Sequence, residues 1–449
     1  MHSYLRENPA LIQAIKRLEE LNTDQFEIYL ERRTSTKVDS KNQEMDTFSR
    51  SEDVGLAIRT IKDRRSGFSF TTSLDHDSID RAVDTSLEVA SVMPEDDNAG
   101  FYSFGSSIYP SVDNFDTAGL GVPLSEKTSL AKALEAACKK ADSRITAVRS
   151  AGITETRFET HLVDSHGEHI YQQSTAYTAS VTCKAESKGD SQMGSDFKFS
   201  NYLDNLDIKS VAENSAKWAV ELLGAKSAPT LKCPAILRNS VLADLVEFLS
   251  SSFSAEEIDK GRSMLIGKKG QLVFSPEITL INDGLLPGGA GTLPFDAEGI
   301  PSKETILIDG GFFSSALYDN YYANKNKVAP TGSSVRGIKS QPNTGFSNLY
   351  IQKGKKPFES LLNGISKGIL ITDLMGIHTA NPVTGDFSFG ASGIMIEGDQ
   401  LTFPIRGFAV AGNVLELFRK ITDIGNDLRF FGKTGAPSVR LSEISVGGV

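Results

Sequence analysis

The sequence predicts an α+β fold. An N-terminal sheet-and-helix region in two parts, residues 1–110 and 111–226, precedes a β-rich, glycine-heavy C-terminal domain over 227–449. Three observations carry this. Strand-like alternation is followed by helical periodicity in the first part, and a helix, a hairpin and a second helix follow in the next part. The third is the glycine distribution: residues 281–449 hold 25 of the 39 glycines of the 449-residue chain.

In chain order, residues 9–21 place Leu11, Ile12, Ile15, Leu18 and Leu21 on one helical face. Residues 26–31 alternate apolar and polar side chains, as do 54–61, and 67–72 is short and aromatic; all three read as strands. Residues 77–92 return to helical spacing through Ile79, Ala82, Val83, Leu87 and Ala90. A polar stretch over 94–111 reads as a linker or long loop. Residues 125–140 predict a helix with Ser125 as N-cap. Residues 157–163 and 168–175 flank Asp164-Ser-His-Gly167 as a hairpin. Residues 208–223 predict the next helix, and punctuation at 224–234 places the main boundary there. Beyond it, 305–308, 368–373, 392–397, 403–410 and 439–446 read as short strands between loops rich in Gly, Pro, Asn and Asp. No regular repeat and no low-complexity tract is seen.

Charge and composition exclude several classes. Lys and Arg number 47 against 57 Asp and Glu, a net charge of −10, and the basic clusters are only pairs or short triplets. A duplex-DNA binder normally carries a basic footprint, so direct nucleic-acid binding is disfavoured. No apolar run reaches the roughly 20 residues of a spanning helix, and the charged N-terminus has no signal-peptide core. Cys138, Cys183 and Cys233 lie far apart and form no CxxC. The expectation is a cytoplasmic protein in a reducing compartment.

The scan for catalytic motifs returns mostly absences. Six histidines give no HExxH or HExxxH, and no GxSxG occurs. Residues 425–434 end in Gly-Lys-Thr like a P-loop, but Asp427 stands where its first glycine is required. His161, His166 and His169 could be imagined as a metal cluster; a turn position for His166 and an alternating strand position for His169 is the simpler reading. His378 is the one histidine of the glycine-rich half. It opens a loop whose Asn381-Pro382 and Thr384-Gly385-Asp386 are turn chemistry. That loop either presents polar groups and backbone to a ligand or is simply a well-formed connection.

Residues 376–393, Gly-Ile-His-Thr-Ala-Asn-Pro-Val-Thr-Gly-Asp-Phe-Ser-Phe-Gly-Ala-Ser-Gly, resemble the signature of the PmbA/TldE branch of the TldD/PmbA family. Ala411-Gly-Asn-Val-Leu415, Ile424-Gly-Asn-Asp-Leu428, 437–448, 283–299 and 55–72 are similar to family segments too, so the likeness spans nearly the whole chain. The resemblance implies a two-component cytosolic metallopeptidase for unfolded peptides, in which a TldD-like subunit carries the zinc. TldD-type chains bear HExxxH on a helix and a late cysteine. Here the corresponding stretch, about 244–257, offers Glu247 and no histidine, and 427–437 has no cysteine. Zinc needs three or four suitable ligands, so no cofactor is expected in this chain and none of its residues is assigned a catalytic role.

The loops 378–393 and 284–299 are the expected peptide-binding surface. His378, Asn381, Thr384, Asp386, Gly289 and Gly291 are its candidate substrate-binding residues, with main-chain hydrogen bonds to an extended peptide. The implied partners are a TldD-like zinc-bearing subunit and an unfolded peptide, with a homodimer as a further option. A non-enzymatic modulator of DNA gyrase or of an antitoxin is the alternative. A self-sufficient hydrolase built on His378 with Asp373 or Asp386 is a third, without a recognisable nucleophile.

Overall fold

The computed structural model describes residues 8–105 and 107–448. The reading of the first seven residues therefore lies outside the described part. The fold is α+β as the sequence predicts, a sheet-and-helix N-terminal region followed by a β-rich C-terminal domain.

The N-terminal region is built on one six-stranded antiparallel sheet. Strands β1 (Gln25–Lys41), β2 (Glu44–Lys62), β3 (Arg65–Thr71), β4 (Ile145–Asp164), β5 (His169–Ser187) and β6 (Asp190–Ser200) lie in the order β3-β2-β1-β4-β5-β6. Long alternating strands need tight connections, and three hairpins turn on two residues that both have positive φ. These are Asn42-Gln43 (+54° and +62°), Asp63-Arg64 (+50° and +60°) and Lys188-Gly189 (+50° and +86°). Such turns match the strand twist. The β4–β5 turn is held differently: Asp164 Oδ1 accepts the backbone N–H groups of His166 and Glu168, both at 3.0 Å.

This sheet is a duplication. Helices α1 (Pro9–Glu20) and α2 (His76–Val92) bracket β1–β3, and α3 (Leu124–Ala141) and α4 (Ile208–Glu221) bracket β4–β6. Each half has its own core, one around Leu11, Ile28, Leu56 and Val83, the other around Leu134, Val181, Cys183 and Val211. The same device seats the second helix in both. A Cβ built at Gly67 of β3 would lie 1.8 Å from the Ser86 carbonyl oxygen, and one at Gly194 of β6 would lie 2.2 Å from that of Ser215. Close approach of helix backbone to strand requires glycine at both places. The sequence reading saw no repeat, because helix and strand lengths differ between halves while only the packing is kept. It also placed Ser125 as the α3 N-cap. That position belongs to Pro123, whose carbonyl accepts from Glu126 and Lys127 N–H at 3.1 and 3.3 Å.

In the C-terminal domain, β7 (Leu231–Leu237), β8 (Lys367–Met375), β9 (Asp386–Glu397), β10 (Gln400–Asn413) and β11 (Val439–Gly447) form a ring. Its order is β11-β7-β8-β9-β10, and Ala409 and Val410 of β10 pair back onto β11. A second sheet contains Leu280–Asp283, Glu304–Asp309, Leu349–Ile351 and the hairpin of Arg429–Phe431 with Thr434–Ala436. Helix α5 (Asn239–Leu249) is strongly apolar. Its Val241, Leu242, Leu245, Val246 and Leu249 are buried in one core with side chains from both sheets. No helix among the described residues is long and apolar enough to cross a membrane.

Charged contacts join the two regions. Arg336 Nη1 donates to Glu27 Oε1 at 2.6 Å, and Arg59 reaches Glu27 at 3.4 Å and Glu298 at 3.3 Å. Arg429 Nη2 donates to Asp196 Oδ1 at 2.5 Å, and Arg238 forms a two-pronged pair with Glu221 at 2.5 and 2.9 Å.

Candidate functional site

Because α5 buries its apolar stripe, its remaining face turns outward and carries Asp244 and Glu247, both exposed. Beside it run β8, with exposed Asp373, and the 3₁₀ turn Ile377–Thr379, with exposed His378. Burial, then the Glu247 and Asp373 carboxylates, push the Asp244 carboxyl up to about 6. Burial also raises Asp373, against Leu374 N–H and Arg238. By area both carboxyls are exposed, yet desolvation dominates both. Both carboxyls thus stand close against protein rather than in open solvent. The outer face of α5 and its neighbours therefore gather like charges and one imidazole.

The loop after β8 is built to hold its own shape. Gly376 enters the 3₁₀ turn at φ +85° and Gly385 leaves the loop at φ +82°. Asn381 Oδ1 accepts Val383 and Thr384 N–H at 2.9 and 3.1 Å, and Thr384 Oγ1 donates to Asp386 Oδ2 at 2.8 Å. Hydrogen bonds from Asn413 and then Thr384 hold the Asp386 carboxyl below the usual range. Asn413 Nδ2 also donates to the Thr384 carbonyl at 2.8 Å, and its Oδ1 caps the helix Val414–Arg419 through Leu415 N–H. Asn381, Thr384 and Asp386 are thus brought together and serve one turn, whereas His378 is exposed and makes no hydrogen bond among the described residues.

Gly289 and Gly291 lie apart from that turn, in the loop facing the N-terminal sheet. A Cβ at Gly291 would lie 2.2 Å from the Ser347 carbonyl oxygen, and one at Gly289 2.6 Å from Asn348 Oδ1. Buried Asn348 ties this loop down, accepting Gly291 N–H at 2.8 Å and donating to the Asp283 carbonyl at 2.7 Å. Gly291 lines a cavity of about 270 Å³ between β1, β4, β5 and β6 on one side and the loops near 290–302, 334–336 and 346–347 on the other. Sequence reasoning missed Asn348 and Asn413 as organisers. Asn413 follows Gly412, a placement many asparagines share, and Asn348, between Ser347 and Leu349, carries no local signal at all.

Two motifs of the sequence take a plain structural form. Gly432, at φ +66°, and Lys433 make the tip of a hairpin between Arg429–Phe431 and Thr434–Ala436, with no helix following, so the Gly-Lys-Thr run cannot act as a phosphate-binding helix start. His161 Nδ1 and His169 Nε2 lie 3.0 Å apart with stacked rings, and His161 Nε2 is 3.3 Å from Glu159. Their ring nitrogens are engaged with protein partners. All three cysteines are buried. Among the described residues, no group of three or more His, Cys, Asp or Glu could hold a metal ion.

Comparison with known proteins places these features. Three family models match in sequence: PmbA/TldA metallopeptidase domain 1 over 26–90, the central domain over 118–223 and the C-terminal domain over 230–448. The metalloprotease PmbA of Escherichia coli O157:H7 is 25% identical over 429 residues, covering 95% of this chain and 93% of that one. A metalloprotease of Methanothermobacter thermautotrophicus is 29% identical over 260 residues, covering 55% of this chain and 57% of the other. TldE of Thermococcus kodakarensis superposes with a TM-score of 0.89 at 23% identity, covering 98% of this chain and all of that one. A candidate modulator of DNA gyrase from Thermotoga maritima also gives 0.89, at 24% identity over 98% of this chain and 99% of its own. On these matches, together with the motif at 376–393, the chain belongs to the PmbA/TldD metallopeptidase family.

Proposed function

We propose that this chain is the non-zinc subunit of a heteromeric cytoplasmic peptidase, shaping a peptide cleft for a TldD-like zinc-bearing partner. The observation that carries the reading is α5. It faces the His378 turn, where the family's metallopeptidase chemistry calls for imidazole and thiolate, and offers Asp244 and Glu247 instead. Tetrahedral zinc is held by thiolate, imidazole and a minority of carboxylates in a converging set. This donor set does not fit zinc, since His378 stands alone, the thiols are buried elsewhere, and burial together with the neighbouring carboxylates favours a proton on Asp244.

In this reading the partner supplies the Lewis acid and the activated water. This chain contributes walls, backbone edges and the self-braced turn of Asn381, Thr384 and Asp386. Extended peptides, bound through main-chain groups, are the substrate class. The test is co-expression with a zinc-bearing relative, followed by size measurement and metal counting on the complex and on the isolated chain. A stable complex with zinc in the partner only is expected. Stoichiometric zinc in the isolated chain contradicts the reading.

A further inference from the structure

We propose that the cavity between the N-terminal sheet and the C-terminal loops binds a small zwitterion, an amino acid or dipeptide with an apolar side chain. The cavity, about 270 Å³, sits just below the usual ligand-pocket range of about 300–1,000 Å³, which suits one or two residues rather than a longer chain. Phe158, Phe199 and Phe346 line it, each half-buried, and supply an apolar wall.

Two opposite charges face the same space without neutralising each other. Lys433, at the hairpin tip, makes no ion pair among the described residues. Glu31 accepts the Tyr29 hydroxyl at 2.6 Å and forms no ion pair among the described residues. The positions of both are fixed. Glu31 is locked in register between β2 and β4, and the Lys433 carbonyl accepts Leu349 N–H at 2.9 Å, while Arg429 pins the hairpin to Asp196 and the Phe197 carbonyl. Of the other charges of the lining, Asp296 accepts three backbone N–H groups, and the enclosed Arg336 pairs with Glu27 through Nη1 while its Nε and Nη2 are buried without a partner among the described residues.

A partly desolvated charge gains most from an opposite charge brought to it. Lys433 is exposed by area, yet desolvation lowers its pKa, as for an ammonium whose free surface faces a cleft. A ligand carrying a carboxylate at one end and an ammonium at the other satisfies both groups, with its side chain on the aromatic wall.

The proposal does not rest on the peptidase reading, because binding is measured on this chain alone. Calorimetry with the full chain would compare leucyl-phenylalanine, its C-terminal amide and its N-acetyl form. The free dipeptide is expected to bind at least about tenfold tighter than either capped form. Lys433→Gln is expected to abolish the discrimination against the amide, and Glu31→Gln that against the acetyl form. Absence of binding at roughly millimolar dipeptide, or either capped form binding within about threefold of the free one, overturns the proposal without recourse to a variant.

Discussion

Glu27→Gln is expected to loosen the seam between the two regions, and its cost follows from the contacts. Glu27 and Arg336 side chains are 1% and 0% exposed, and their ion pair spans 2.6 Å. Arg59 keeps Glu298 as a second carboxylate, whereas Arg336 has no other among the described residues. Removing one partner of such a buried pair costs about 3–5 kcal/mol, because the remaining charge is stranded. The Tyr29 ring, 3.8 Å from the Arg336 guanidinium carbon, retains part of the stabilisation, worth up to about 2 kcal/mol when desolvated. A net loss of about 3 kcal/mol is therefore expected. For an N-terminal region of roughly 200 residues, that lowers the calorimetric midpoint by about 6–12 °C. Burial alone raises the Glu27 carboxyl, and Arg336 and Arg59 together reverse this and bring it below its ordinary value. A lowered folded-state pKa gives stability above the unfolded value of 4.5 that is lost as pH falls through the folded one. The difference between variant and parent should thus be full at pH 7 and shrink in acid. Glu27→Gln combined with Arg336→Met should recover most of the loss. A single variant as stable as the parent at pH 7, or a double variant no better than the single, refutes the reasoning.

Three further outcomes follow from the same geometry. Asp244 has a folded-state pKa raised to about 6 from 3.8, so its penalty accrues as pH rises from about 4 through 6; Asp244→Asn should raise the melting temperature at pH 8 and leave it unchanged at pH 3. Asn413→Ala removes a helix cap and two hydrogen bonds bracing the 381–386 turn, an expected cost of about 1–2 kcal/mol, visible as faster hydrogen exchange at Gly385 and Val414. Gly194→Ala drives a Cβ into the Ser215 carbonyl and should cost about 1–3 kcal/mol by thermal unfolding, with Gly67→Ala behaving alike against Ser86.

What the sequence could show depended on the range of each interaction. Periodicity is local, so the helices at 76–92 and 208–221 were legible within a few residues at their ends, and the β4–β5 turn was legible too, although both of its strands run well beyond the 157–163 and 168–175 that alternation marks. Their partners were not. The strand tracts at 44–53 are exposed on both faces, which removes the alternation that marks a strand, and the Asn42-Gln43 and Asp63-Arg64 turns lack the glycine that usually signals such a turn. The duplication is carried by Gly67 against Ser86 and Gly194 against Ser215, contacts between residues about 20 apart. At the site, the turn chemistry of Asn381 and Thr384 was readable because Asn-Pro and Thr-Gly act on their own backbone. The grouping of Asp244 with Glu247 and Asp373 needed the packing of α5 on β8. The cavity at Lys433 and Glu31 needed a hairpin 400 residues downstream to dock on β6.

The most direct test of the central claim is hydrolysis of an unfolded peptide by the purified chain, alone and mixed with a zinc-bearing TldD-like relative. The account predicts cleavage in the mixture only, abolished by removing the relative's zinc. Cleavage by this chain alone, sustained after exhaustive chelation or restored by zinc bound to it, would contradict it.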